Sequence, residues 1–93
     1  MKIVFDPAKR DLALRHRGLD FASAAQVFED IHVTAPDDRR DYGEARFITV
    51  GRLAGRVVVI VWTRRDEARR IISMRYAHAK EARRWRVHLD RPG

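Results

Sequence analysis

The stretch Arg69–Glu81, R-R-I-I-S-M-R-Y-A-H-A-K-E, decides how the rest of the chain must be arranged. If Ile72 and Met74 face a core, the two-residue period of a strand turns Ser73 and Arg75 to the opposite face, so a buried row carries a projected guanidinium. The spacing then becomes helical. Ala82, Trp85 and Leu89 fall on one side, leaving Lys80, Arg83, Arg84 and Arg86 mostly toward water. A strand and a helix therefore meet at a basic edge.

Working back from that edge, Arg64–Glu67 is a charged turn, and Arg56–Thr63, R-V-V-V-I-V-W-T, is the strongest strand signal in the chain. Both parities of this strand are apolar, which predicts cover on both faces and a central place in a sheet. Leu53-Ala54-Gly55 predicts a hairpin turn with positive φ at the glycine, joining it to a strand over Arg46–Arg52. Before that, Ile31–Ala35 reads as a short strand. Ala35–Glu44, A-P-D-D-R-R-D-Y-G-E, has no apolar periodicity and is expected to be the most mobile connection.

At the start, Lys2–Phe5 is a brief strand ended by Asp6-Pro7, a capping residue followed by proline at the first helical position. The helix it opens carries Ala8 and Leu12 inward, with Leu14 as a further candidate, and stops at Gly18. Asp20 caps a second helix with Phe21, Ala24, Ala25 and Phe28 at helical spacing. The expected order is β-α-α-β-β-β-β-α. It predicts an α+β fold, a mainly antiparallel sheet with helices packed on it and the first two on one face, in a single domain over residues 1–93.

The composition agrees with one modest core: 93 residues, 45% apolar. Cysteine is absent, which leaves no disulfide framework and no thiolate metal site. The longest apolar run, Val57–Trp62, is too short to span a bilayer, and the opening M-K-I-V-F-D has no signal-peptide pattern. A soluble, cytoplasmic chain without a membrane partner is expected. Net charge is +7, unevenly spread: residues 1–46 hold 8 Lys/Arg against 9 Asp/Glu, residues 47–93 hold 12 against 4. A basic half of this kind concentrates polyanions, so nucleic acid or an acidic protein segment is the natural partner; the alternative is a merely solubilising surface.

Several segments together resemble the BrnT family of type II toxin components. They are F-D-P-A-K at Phe5–Lys9, G-L-D-F at Gly18–Phe21, V-F-E-D at Val27–Asp30, G-E-A-R-F-I-T-V-G at Gly43–Gly51, and R-I-I-S-M-R at Arg70–Arg75 with Ala77 and Glu81 beyond. The resemblance covers nearly all of residues 1–88. It implies a RelE-like fold, an RNA-cleaving toxin that halts translation, and a BrnA-like ribbon-helix-helix antitoxin in a 2:2 complex that contacts DNA only through the antitoxin. Two departures stand out. Members commonly carry K-H-G before the second helix where this chain has His16-Arg17-Gly18, and many have asparagine where Ala13 stands.

RNA cleavage without a metal needs a base near the 2′-hydroxyl, cationic donors for the phosphorane charge and an acid for the leaving oxygen. Arg75, fixed by a strand, is the best charge stabiliser, unless it is spent on an ion pair with Glu81 or Glu44. Arg46, matching the family's E-x-R segment, has a similar claim against a pair with Glu44. His16 next to a helix end suits acid or base work, with a solvated surface histidine as the bland alternative. Arg75, Arg46, His16 and Glu44 form the candidate catalytic set. Arg17, Arg64, Arg65 and Lys80 are candidate RNA-binding residues, or an inert solvated face. Trp62 and Trp85 are expected in the core rather than stacked on bases. His16, His32, His78 and His88 lack ligand spacing and no phosphate-cradling glycine loop occurs, so neither a metal nor another cofactor is expected. Two further readings stay open: a non-catalytic basic nucleic-acid-binding module, and a regulatory subunit that acts only when bound to the antitoxin.

Overall fold

The computed structural model describes residues 1–90. β1 (Lys2–Phe5) ends where the Asp6 carboxylate accepts the Ala8 amide at 2.9 Å and Pro7 opens α1 (Pro7–Arg17). Gly18, at φ 69°, closes that helix by donating its amide to the Leu14 carbonyl. Asp20 caps a short 3-10 turn, Phe21–Ser23, that runs into α2 (Ala24–Glu29). Then come β2 (His32–Pro36), β3 (Arg46–Leu53), β4 (Arg56–Arg65), β5 (Ala68–Tyr76) and α3 (Ala79–Leu89). Ala54 and Gly55 both take positive φ between β3 and β4, the geometry that matches a two-residue turn to strand twist.

The strands form one sheet in the order β1-β5-β4-β3-β2, antiparallel except for the parallel pairing of β1 with β5. β4 is central, as its two apolar parities demand. On one face, α1 and α2 cover Val58, Ile60, Trp62, Ile71 and Met74 with Ala13, Phe21, Ala24 and Val27. On the other, α3 lays Leu89 against Val50, Val57 and Val59, with Ala82 and Trp85 beside it. The side under α1 and α2 is the first face of the sheet and the side under α3 the second. α2 approaches the sheet so closely that a Cβ on Gly51 would fall 2.5 Å from Val27 Cγ1, so that strand position needs glycine. No helix among the described residues is long and apolar enough to cross a membrane.

Two sequence expectations change. Val61 pairs with Ser73 but Trp62 with Ile71, so Ile72 is an extra residue in a β-bulge. The fully buried side chains of β5 are therefore Ile71 and Met74, at 1% and 0% exposure, rather than Ile72 and Met74. Arg75 does lie on the opposite face, beside Val59. In α1 the buried residue is Ala13, while Leu12 and Leu14 are 52% and 41% exposed. A methyl group at the contact lets α1 sit close to β5, which turns the larger flanking leucines outward.

Candidate functional site

α3 covers only part of the second face, and the uncovered part is where charge collects. Strand register sets Arg75 beside Val59, Ser73 beside Val61, and Arg70 and Arg46 on either side of Thr63. Arg65 follows on the same parity of β4.

Arg75 meets Glu81 through both arms of its fork, Nη1 to Oε1 at 2.8 Å and Nη2 to Oε2 at 3.1 Å. Glu81 also accepts the His78 amide at 3.1 Å, so a single carboxylate caps α3 and holds the arginine. The Arg75 hydrogen bonds, ahead of the opposing effect of partial burial, pull the Glu81 carboxyl down to about 2. Arg75 in turn is held above its ordinary value by Glu81, against desolvation and the repulsion of nearby Arg39. At its other end α3 is fastened by Arg52, which contacts Asp90 and the Leu89 carbonyl.

Arg46 Nε donates to Glu44 Oε2 at 3.1 Å, and its guanidinium lies 4.2 Å from the centre of the Tyr42 ring. Glu44 also lies 3.8 Å from Arg65. The connection carrying Tyr42 and Glu44 lacks periodicity but not partners. Asp37 donates its amide to the Arg46 carbonyl at 2.8 Å and buries a carboxylate that accepts from Arg39 Nε at 2.7 Å and Nη2 at 2.9 Å. Arg39 holds the Asp37 carboxyl at about 2. The loop thereby brings a third guanidinium toward Arg75.

The candidate catalytic residues are thus only partly gathered. Arg75, Arg46 and Glu44 share the second face with Arg65, and exposed Lys80 stands in the first turn of α3 next to Glu81. Both alternative ion pairs, Arg75 with Glu81 and Arg46 with Glu44, are present. His16 and Arg17 end α1, which packs on the first face. His16 lines a cavity of about 250 Å³ with Lys9, Leu12, Arg17, Phe21 and Ile72. Arg17 Nη1 donates to the Met74 carbonyl at 3.1 Å, satisfying an acceptor where β5 runs on past its pairing with β1. His16 and the Arg46–Glu44 pair therefore lie on opposite sides of the sheet. Arg64 also has first-face parity, opposite Arg69.

Trp62 is a core residue, its Nε1 donating to Thr49 Oγ1 at 2.8 Å; Trp85 is half-buried. Sequence reasoning did not single out Asp37, Arg39, Tyr42, Arg69 or Arg70. Arg69 lies 3.9 Å from the Phe28 ring centre and 5.2 Å from that of Trp62, and its buried Nε has no hydrogen-bond partner. Burial, then the charge of Arg64, lowers its pKa. Its parity with Ile71 became informative only once the bulge had put Ile71 inside. Among the described residues no three His, Asp or Glu side chains gather as a metal-holding group.

The open part of one sheet face in this small α+β fold sets out arginines and carboxylates, a donor set whose cations suit phosphate contacts. The chain matches the family described as "Ribonuclease toxin, BrnT, of type II toxin-antitoxin system" over residues 5–81, a span that takes in Arg46, Arg75 and Glu81. It belongs to that family of ribonuclease toxins. No match was found among the curated proteins.

Proposed function

We propose that this protein is a metal-independent endoribonuclease that cuts RNA in the cytoplasm and so inhibits translation. The observation that carries the reading is the family match across a span holding two arginine–carboxylate pairs on one sheet face. In such a cleavage the 2′-oxygen attacks the adjacent phosphorus and the bond to the 5′-oxygen breaks. A base removes the 2′-proton, an acid protonates the leaving oxygen, and donors hold the extra negative charge between. Arg75 and Arg46 are the donors in this proposal. Arg75 gives up one Glu81 contact to reach phosphate, while Glu81, ionised at neutral pH, keeps the fork aimed. Glu44 beside Arg46 is the base on this face, and His16, across the β5 edge, is the alternative acid or base. Arg17, Arg64, Arg65 and Lys80 position the RNA backbone.

The test is cleavage and binding by purified Arg75→Ala. The expected result is a loss of about 10²–10³ in turnover with RNA binding nearly kept. A folded wild-type chain that leaves RNA intact, free and on ribosomes, overturns the proposal.

The position of His16 away from Arg46 and Glu44 favours a second reading, a non-catalytic nucleic-acid-binding module. In that case Arg75→Ala weakens binding to all sequences and lowers the salt slope instead. Growth unaffected by expression alone, with tight antitoxin binding, points to the regulatory subunit.

For neutralisation we propose a BrnA-like ribbon-helix-helix antitoxin. It binds against Arg64, Arg65, Arg75 and Lys80, excludes phosphate from that edge, and joins two toxin chains in a 2:2 assembly on DNA.

A further inference from the structure

The end of the second face farthest from α3 carries two cations, Lys2 and Arg70, that the ribonuclease reading leaves unused. β1 pairs with β5 so that Lys2 sits beside Ala68 and Val4 beside Arg70, while β4 sets Arg65 and Thr63 on the other side of the same two residues. Two cross-strand rows result: Lys2, Ala68, Arg65; then Val4, Arg70, Thr63, Arg46. Above the first row lies a hollow of about 440 Å³. Val4 and Ala68 floor it, Lys2, Arg65 and Arg70 flank it, and the turn residues Asp66 and Glu67 rim it.

The cations here are in a different state from those nearer α3. Arg39, Arg46 and Arg75 are each closed by a carboxylate at 3.1 Å or less. Among the described residues neither Lys2 nor Arg70 forms an ion pair, and Arg65 has only the 3.8 Å contact with Glu44. Between Arg70 and Arg46 stands Thr63, short and buried, its hydroxyl turned to the Ala45 carbonyl at 2.7 Å. No long side chain therefore separates these two arginine stems, which are two strands, about 10 Å, apart.

We propose that this hollow is a second phosphate subsite, in which Lys2 and Arg70, assisted by Arg65, hold a backbone phosphate next along the strand from the one at Arg46 and Arg75. The inference rests on the ribonuclease reading and names how that face grips its substrate. Open cations with no internal partner bind phosphate without first breaking an ion pair, whereas Arg46 and Arg75 exchange a carboxylate for it. The apolar floor takes the sugar or base between the two phosphates. Asp66 and Glu67 repel the next phosphate, so the track ends at the β4–β5 turn and the strand leaves the surface there.

The probe is a single-stranded RNA oligonucleotide 2′-O-methylated at every position, which keeps its phosphates but cannot be cut, with affinity followed against salt. Lys2→Gln with Arg70→Gln is expected to weaken binding and lower the salt slope by about 1.4, two single-strand phosphate contacts. Lys2→Arg with Arg70→Lys keeps both charges and is expected to restore the slope, which separates lost contacts from lost folding. Asp66→Asn with Glu67→Gln is expected to tighten binding. Arg83→Gln with Arg84→Gln, both exposed on α3, serves as the charge-matched control. Wild-type affinity and slope in the Lys2/Arg70 variant, a drop equal to that of the Arg83/Arg84 control, or no binding of the probe by the wild type overturns the subsite. If the probe binds as expected but natural RNA is never cut, the ribonuclease reading falls and the subsite stands. If RNA is cut and the Lys2/Arg70 variant binds like wild type, the reverse holds.

Discussion

One sheet carries two faces finished in opposite ways. The first is sealed by two helices over Ile60, Ile71, Met74 and Trp62, with α2 seated on a glycine. The second has one 11-residue helix, anchored by arginines at both ends, and leaves its remaining rows to charged side chains. Burial on the first face supplies stability, and incomplete burial on the second leaves cations at the surface for the proposed chemistry.

The strongest way to break this contrast is Ile60→Ala. It removes a fully buried side chain from the sealed face and is expected to cost about 2–5 kcal/mol in denaturant unfolding, with RNA affinity of the folded fraction unchanged. Gly51→Ala comes next, at about 1–3 kcal/mol, because its methyl group must displace Val27 or α2. A cost near zero for either would mean that the first face is not the close-packed one.

Substitutions on the second face should cost less in stability and more in function. Glu81→Gln is expected to cost about 1 kcal/mol or less at neutral pH, since its partner Arg75 is 38% exposed. Its pH dependence carries a sign. Glu81 is held at about 2 in the fold against an ordinary 4.5, so its contribution is full above pH 4.5 and fades as pH falls toward 2. Wild type should therefore lose more stability than Glu81→Gln across that window, and parallel curves would dissociate the pair from folding. Smallest in stability, within about 0.5 kcal/mol, is Arg64→Glu with Arg65→Glu at the exposed strand end, one cation from each face. It should nevertheless slow antitoxin association and flatten its salt dependence; an unchanged on-rate would mean that the antitoxin docks elsewhere.

Much of the fold was legible because its punctuation is local. Asp6-Pro7, Gly18, Asp20 and Ala54-Gly55 each satisfy a backbone requirement within a few residues, and β4 states its central place through two apolar parities. What escaped depends on partners far along the chain. Ala13 rather than Leu12 faces the sheet because of how closely α1 approaches β5, and nothing in the spacing of Ala8, Leu12 and Leu14 encodes that distance. Arg75 was legible as a projected cation, and Glu81 was already its named alternative partner. The part of the site formed by Asp37, Arg39 and Tyr42 was not, because an aperiodic loop gives no period from which to infer its facing side. Arg70 was hidden for another reason: its neighbour Val4, and Lys2 one row away, come from a parallel pairing that joins the first strand to the last.

The extra residue at Ile72 works as a parity switch. Counting in twos from Ile71 would have put Ser73 and Arg75 inside the helix-covered core and Met74 outside; one added residue inverts the count for everything up to Tyr76. Deleting Ile72 alone is thus equivalent to turning over half a strand, driving a guanidinium into the apolar layer and parting it from the carboxylate that starts α3. The reading frame of this strand is kept by an isoleucine whose own side chain is in neither core.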